Sequence, residues 1–179
     1  MTHRFEHTFI VHAPLEQVAA FHYAPAAFRR LTPPLLPVQV HHAEPLADGS
    51  TTEFTLWLGP LPVRWVARHR HVGPQGFTDE QVRGPFRQWI HRHTFEPIDA
   101  HTTRVRDTIE AAFHSHPFWA LVGRLIWWGQ PLLFRYRAWA TQQALAANPL
   151  PARTILATLF GVSLLSAAML SILLRKARP

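Results

Sequence analysis

Two strand-like stretches of this sequence carry histidines at alternate positions. His69 and His71 lie in the first stretch, and His91 and His93 lie in the second. Because alternate side chains of a strand project from the same face, both imidazoles of each pair are expected to point in one direction. Asp107 falls on the inward face of a later strand. A histidine paired with an aspartate inside an apolar cavity could act as a general base for enolisation, dehydration or ring closure.

The same spacing permits metal binding. Imidazoles from His91 and His93, or from His69 and His71, could chelate zinc or iron together with a carboxylate such as Asp107. Such a site needs all its ligands at one depth of the sheet, which spacing alone does not establish. The alternative for each histidine is a packing role, with the imidazole hydrogen-bonded to Asp107 or to the backbone. We therefore assign no metal and no cofactor.

The densest of these stretches is a predicted β-hairpin from Asp79 to Phe95. Its turn is Gly84-Pro85, and polar or aromatic residues recur at every second position on both sides. The orientation of Asp79 and Gln81 depends on the register of the turn, because a slip of one residue moves a side chain to the other face; that orientation stays open. Beyond the turn, one face carries two aromatic rings and two imidazoles, from Trp89, His91, His93 and Phe95.

The hairpin belongs to a longer run of strands. A first strand, Phe5–Val11, is followed by two short helices, one beginning at Pro14 and one covering Pro25–Leu31. From Val38 onward the hydrophobic period is two, which predicts an antiparallel meander with short turns. Its strands are predicted over Val38–Glu44, Thr51–Leu58, Val63–Val72, Gly76–Arg83, Phe86–Pro97 and Thr102–Phe113.

A long aromatic helix is predicted after the last strand, from His116-Pro117 to about Ala147. Gly129-Gln130-Pro131 is expected to bend or divide this helix. Trp127 and Trp128 are adjacent, about 100° apart on the helix, so they cannot both face the core. We expect Trp127 to line the mouth of a cavity.

The inward strand faces together predict an enclosed cavity lined by aromatic rings and a few polar groups, the usual form of a small-molecule site. Arg64, Arg68 and Arg70 define an outward, solvated face on one strand, so the opposite face points inward. Polar groups in such a cavity serve either to orient a ligand or to complete internal packing. The predicted ligand-lining residues are Phe54, Leu56, Trp65, His69, His71, Trp89, His91, His93, Phe95, Asp107 and Trp127.

Charge and hydropathy set the C-terminal part of the chain apart. All 11 acidic residues, with 11 of the 18 basic ones, precede residue 111, so the net charge of +7 belongs to the remainder. Residues 154–174 carry no charge and are numerous enough for a bilayer-spanning helix. Basic residues around an apolar run favour a membrane surface as partner and argue against nucleic acid.

These features predict a ligand-binding domain over 1–147, a linker over 148–153, a transmembrane helix over 154–174 and a basic tail over 175–179. The N-terminus has no apolar run after a basic segment, so no secretory signal is expected. We therefore expect a single-pass membrane protein with its N-terminal domain in the cytoplasm.

Local motifs resemble the SRPBCC, or START-like, superfamily. They are Phe9-x-Val11-x-Ala13-Pro14-x-x-x-Val18, Leu31-x-Pro33-Pro34 and the stretch from Asp79 to Phe95, which is similar to SRPBCC domains fused to sugar-nucleotide epimerase-like proteins. The resemblance implies an α+β helix-grip fold, in which a curved antiparallel sheet of about seven strands wraps around a long C-terminal helix. It also implies a deep, mostly apolar cavity, although fold alone selects no function.

Three functions are compatible with these residues. The leading interpretation is membrane-anchored, non-catalytic binding of a hydrophobic small molecule such as a lipid, an isoprenoid or a quinone. The first alternative is a cyclase-like or dehydratase-like enzyme that uses His91 or His93 with Asp107. The second is a protein-interaction module whose cavity serves only folding.

Overall fold

A seven-stranded antiparallel sheet is the largest element of the fold. The structure is a computed structural model, and it describes residues 1–146. The strands alternate buried and exposed side chains, as expected for a sheet with one face on the core. They are β1 (His3–Val11), β2 (Val38–Ala43), β3 (Thr51–Leu58), β4 (Leu61–Gly73), β5 (Gly76–Arg83), β6 (Phe86–Asp99) and β7 (Thr102–Phe113).

The strand order in space is β1-β7-β6-β5-β4-β3-β2. Strands β2 to β7 follow one another as a meander, and β1 joins the sheet beside β7. The hairpin of β5 and β6 therefore lies in the middle of the sheet. The inward face of β6 is therefore flanked by paired strands on both sides.

Three helices cover one face of the sheet. They are α1 (Leu15–Tyr23), α2 (Ala27–Arg30) and α3 (Pro117–Leu145). Pro117 occupies the first turn of α3, where its missing N–H costs no hydrogen bond. The helix continues without interruption through Pro131, so the predicted division at Gly129-Gln130-Pro131 does not occur. Pro131 is exposed. α3 contacts β1, β6 and β7, which confirms the predicted helix-grip arrangement.

Buried side chains form two main groups on the inner face. One includes Phe54, Trp65, Trp89 and Phe134, which lie between the sheet and α3. The other surrounds Phe95 and packs the far ends of the strands against α1. Apolar residues of the first group line much of the cavity described below, and Phe77 of the second group also borders it.

One predicted element is corrected. Within residues 1–146, no helix is long and apolar enough to cross a membrane. α3 has the length, but it carries Arg124, Arg135 and Arg137. The linker, transmembrane helix and basic tail predicted over 148–179 lie outside the described residues. Within the described residues the fold is the helix-grip domain, and neither the single-pass membrane localisation nor a membrane-lipid partner is retained.

Candidate functional site

A cavity of about 330 Å³ lies between the inner face of the sheet, the α1–α2 segment and α3. This volume is near the lower end of the range of about 300–1,000 Å³ that small-molecule sites occupy. Strands β3 to β6 contribute one wall, and Phe28, Leu31 and Leu36 contribute another. Lining residues that are also exposed, such as Pro25, Val40 and Pro45, mark the opening between α2 and β2.

Aromatic rings make up much of the apolar wall. The rings of Phe54 and Trp65 are stacked, with centroids 5.9 Å apart, and Trp89 meets Trp65 edge-on at 5.4 Å. Phe28 packs on Phe54 at 4.7 Å. These residues come from α2, β3, β4 and β6, so the wall forms only when the meander and the short helix have come together.

A buried chain of imidazoles and carboxylates lies at the other end of the cavity. His69 Nδ1–H donates to Asp79 Oδ1 at 2.7 Å, and His93 Nε2–H donates to Asp79 Oδ2 at 3.3 Å. His91 Nε2–H donates to Asp107 Oδ1 at 3.0 Å. His93 Nδ1 lies 2.9 Å from the same oxygen, close enough for an ion pair, although the angle does not suit a hydrogen bond. Five side chains from β4, β5, β6 and β7 are thus joined.

Strand register explains this chain of contacts. Asp79 lies opposite His69 across the β4–β5 pair and opposite His91 across the β5–β6 pair, and His93 lies opposite Asp107 across the β6–β7 pair. Cross-strand neighbours have Cβ atoms only about 4.5–5.5 Å apart. His69–Asp79 and His93–Asp107 are such direct pairs. The Asp79–His93 and His91–Asp107 contacts are diagonal, each to a residue two positions along the facing strand.

A glycine in β5 allows the close approach that sets this register. Gly76 has a φ of +137°, and a Cβ there would lie 1.9 Å from the backbone oxygen of His93. Only glycine avoids that clash. The Tyr23 hydroxyl of α1 donates a hydrogen bond to the Gly73 carbonyl and lies 3.3 Å from the Gly76 carbonyl, on the other side of the β4–β5 turn. The turn is therefore held against α1 next to His93.

The pKa values of the two neighbouring histidines of β6 shift in opposite directions. Burial by itself lowers the pKa of His93, but its contacts with Asp107 and Asp79 outweigh burial and raise that pKa to about 9. For His91, burial and the charge on His93 lower the pKa to about 4, although Asp107 opposes them. At neutral pH His93 is an imidazolium and His91 is a neutral imidazole, with their ring centroids 3.9 Å apart.

The two carboxylates stay ionised despite their surroundings. Burial alone raises the pKa of Asp79 and of Asp107, but hydrogen bonds and ion pairs with the histidines outweigh burial and hold both pKa values well below the usual range. On α1, burial lowers the pKa of His22 to about 4, although the bond from its Nδ1–H to the Val18 carbonyl opposes the shift. At neutral pH the site therefore combines two anions, the His93 imidazolium and the neutral imidazoles of His22 and His91.

Asp79, His91 and His93 could together contact a metal ion, since their candidate ligand atoms lie within 4.8 Å of one another. This set differs from the sequence-based one, in which Asp107 supplied the carboxylate. Each of the three already engages another charged group, and a cation would compete with the His93 imidazolium for the carboxylates. All three candidate metal ligands are thus already engaged in ion pairs within the site.

A model of the family described as polyketide cyclase / dehydrase and lipid transport matches residues 11–140. The chain belongs to this family. The match confirms the SRPBCC resemblance that the local motifs indicated. A comparison with curated proteins finds no match.

Solved structures of this fold come from proteins of different activities. ZhuI aromatase/cyclase from Streptomyces sp. R1128 is similar with a TM-score of 0.62 and 15% identity, over 84% of this chain and 100% of that one. Norcoclaurine synthase from Thalictrum flavum, in complex with dopamine and hydroxybenzaldehyde, gives a TM-score of 0.57 and 16% identity over 84% and 90%. At these identities the likeness shows the fold alone.

A third structure is more similar in sequence. The nucleoside-diphosphate sugar epimerase from Corynebacterium glutamicum is 28% identical, with a TM-score of 0.57, over 77% of this chain. The match covers 28% of the epimerase, so it concerns one part of that protein. It agrees with the predicted similarity of the hairpin to SRPBCC domains fused to epimerase-like proteins.

In this family member, most of the predicted ligand-lining residues surround the cavity. Asp107 does not line the cavity. It is only 4% exposed and lies behind His91 and His93, which both contact its carboxylate. The inward-facing predictions that also line the cavity are Phe54, Leu56, Trp65, His69, Trp89, His91 and His93.

Three predicted residues lie elsewhere. His71 is exposed, with a φ of +52°, where β4 leaves register with β5, so its predicted inward orientation is wrong. Phe95 faces inward as predicted but is fully buried in the packing around α1. Trp127 packs partly buried against Phe5, Trp89 and Phe113, away from the cavity lining.

The structure adds lining residues that the sequence left open or did not select. Asp79 and Gln81 both line the cavity, and Gln81 also donates to the Phe86 carbonyl at 2.6 Å. His22 falls on the apolar stripe of its helix, which is a usable signal for an inward position. Gln130 and Arg137 of α3 give no comparable signal, because apolar residues surround much of that helix.

Proposed function

We propose that this domain binds a small, largely apolar molecule, with the polar end of the ligand toward the His–Asp chain. The observation that carries the proposal is the cavity itself, which joins an aromatic wall to a cluster of ionised and hydrogen-bonding groups. Apolar surface provides affinity by removal from water, whereas a few polar groups fix the orientation. Lipids, isoprenoids and quinones remain candidate ligand classes.

The test is a titration with N-phenylnaphthylamine, an uncharged probe whose fluorescence increases in apolar surroundings. We expect saturable binding to the wild-type protein. Leu56→Trp should abolish it, because Leu56 lines the cavity and a larger ring would occupy the ligand volume. Leu121→Trp is the matched control, because Leu121 is 53% exposed on α3.

Circular dichroism shows whether both variants keep the fold. Equal probe binding by folded Leu56→Trp and Leu121→Trp would place the probe on the surface and reject the proposal. The same result would favour a protein-interaction domain whose cavity serves only folding.

A second candidate is acid–base catalysis, favoured by the opposite pKa shifts of His91 and His93. Neighbouring groups with separated pKa values are typical of an acid and a base that act together. Because His91 donates its Nε2–H to Asp107, the neutral ring carries its lone pair on Nδ1 and can accept a proton there. His93 is the adjacent proton donor.

Dehydration of a β-hydroxy ketone fits these roles. His91 would take the proton from the carbon next to the carbonyl, and His93 would give a proton to the departing hydroxyl. A carbon–carbon double bond forms and water leaves, so atoms and charge balance. Asp107 would stabilise the imidazolium that forms on His91.

The catalytic candidate is tested with an aryl β-hydroxy ketone, by following the absorbance of the conjugated enone. His91→Gln and His93→Gln should each lower the rate about 10²–10⁴-fold, as expected when a general acid or base is lost. N-phenylnaphthylamine binding should persist in both. His71→Gln is the control, since His71 is exposed; equal rates in all three variants would reject catalysis and leave the binding proposal intact.

A further inference from the structure

Arg137 is the cationic side chain of α3 that lines the cavity. It follows Gln130 by two helical turns and Phe134 by one, and all three line the same wall. Its guanidinium carbon lies 5.0 Å from the centre of the Phe134 ring. This stacking directs a charged group along an apolar surface toward the interior.

Within residues 1–146, no carboxylate lies within ion-pair distance of this guanidinium. Its Nε is buried and has no hydrogen-bond partner among the described residues. Buried polar groups normally have partners, and an arginine offers a planar fork of five N–H donors. Arg137 therefore retains donors for an acceptor that comes from outside.

The nearby carboxylates do not fill this role because histidines already occupy them. Asp107 contacts His91 and His93, and Asp79 contacts His69 and His93. Burial lowers the pKa of Arg137, while the charges of Asp107 and Asp79 partly oppose that effect. The charges of Asp79 and Asp107 thus act on the guanidinium from beyond ion-pair distance.

We propose that the cavity takes an apolar molecule that ends in a carboxylate, and that Arg137 pairs with that carboxylate. Guanidinium and carboxylate match in a bidentate geometry, which gives specificity as well as energy. The apolar body of such an acid would lie against the Phe54–Trp65 wall. This inference rests on the proposed binding function and names the chemical class of its ligand.

The test compares decanoate with decanol as competitors of N-phenylnaphthylamine. The two have the same alkyl chain and differ in the carboxylate. We expect the wild-type protein to prefer decanoate by about tenfold, as is typical for one hydrogen-bonded charge pair. Arg137→Gln should reduce the preference to near unity through weaker decanoate binding, with decanol and the probe little changed.

Arg135→Gln is the matched control, because it removes the same charge from an exposed position on the same helix. It should keep the preference for decanoate. Arg137→Lys is the conservative variant: it keeps the charge without the planar fork and should give an intermediate preference.

The outcomes separate the two proposals. If the probe binds in the cavity but the wild-type protein shows no preference for decanoate, the carboxylate inference is wrong and the binding function stands. An equal loss of preference in folded Arg137→Gln and Arg135→Gln would also overturn it, since a general charge effect would then suffice. If the probe does not bind in the cavity, both proposals fail.

Discussion

The two faces of β6 and β7 use similar ion pairs in different surroundings. On the outer face Arg92 contacts Glu110 at 2.9 Å, with both side chains at least one-third exposed. On the inner face His91 and His93 contact Asp107 at 3.0 and 2.9 Å, with side-chain exposures of 5–7%. The distances are alike, but water screens only the outer pair. The comparison shows that burial decides what such a pair contributes to stability and proton affinity.

Removal of the buried anion should have the largest effect. Asp107→Asn keeps the shape of the side chain but leaves the His93 imidazolium with Asp79 as its remaining anionic partner. We expect a loss of about 3–5 kcal/mol in the free energy of unfolding, typical when one partner of a buried pair is removed. Urea denaturation at neutral pH measures the loss, and a value below that of an outer-face variant would contradict the comparison.

The second prediction concerns the pH dependence of stability. His93 binds protons more tightly when folded, with a pKa of about 9 against an ordinary 6.5. Its contribution is fully present below pH 6.5 and is lost as the pH rises to 9. The loss should be roughly 3 kcal/mol, because a tenfold change in proton affinity corresponds to about 1.4 kcal/mol. Urea denaturation across this range should show stability falling toward high pH.

The acidic side of that profile has the opposite slope. Folding lowers the pKa of both His22 and His91 to about 4, so the unfolded chain binds more protons between pH 4 and 6.5 and stability rises with pH there. Asp79 and Asp107 stabilise the fold above their ordinary pKa of 3.8 and lose that effect as the pH falls below it. We expect a maximum near pH 6.5. In Asp107→Asn the alkaline loss should be smaller, and an unchanged profile would contradict the role of this carboxylate.

The outer face should give the smallest effect. Glu110→Gln removes the partner of Arg92, and we expect a loss of about 0–1 kcal/mol, because the pair is exposed. That loss should vanish in about 1 M salt, where the screening length falls to about 3 Å. The effect of Asp107→Asn should persist in the same salt. Equal sensitivity of both variants to salt would show that water reaches the inner pair.

The predictable part of the site follows from strand periodicity. Trp89, His91 and His93 recur every second residue beside a turn, so a regular strand must put them on one face. The structure confirms that face. His71 departs from the same rule because β4 loses regular pairing with β5 before the Gly73–Gly76 turn, and a left-handed residue there redirects the side chain.

The helix contributions were harder to predict. α3 presents apolar and aromatic residues around much of its circumference, so its sequence does not identify one inward stripe. Gln130 and Arg137 became lining residues only through the way α3 packs on β1, β6 and β7. Arg135, two positions earlier, stays exposed.

The sequence by itself determined the inward face of β6, because that face depends on local periodicity. Its short motifs, through their resemblance to a family, indicated the helix-grip class and the family. Tertiary structure alone decided which inward residues surround empty space and which are packed. Phe95 and His93 share one face of β6. Residues of α1 pack against Phe95, whereas His93 borders the cavity. Pairing between strands also decided that Asp79 lies opposite His69 and diagonal to His93, and so contacts both. The opposite pKa shifts of His91 and His93 arise from that pairing, because each pKa depends on neighbours that are distant in sequence.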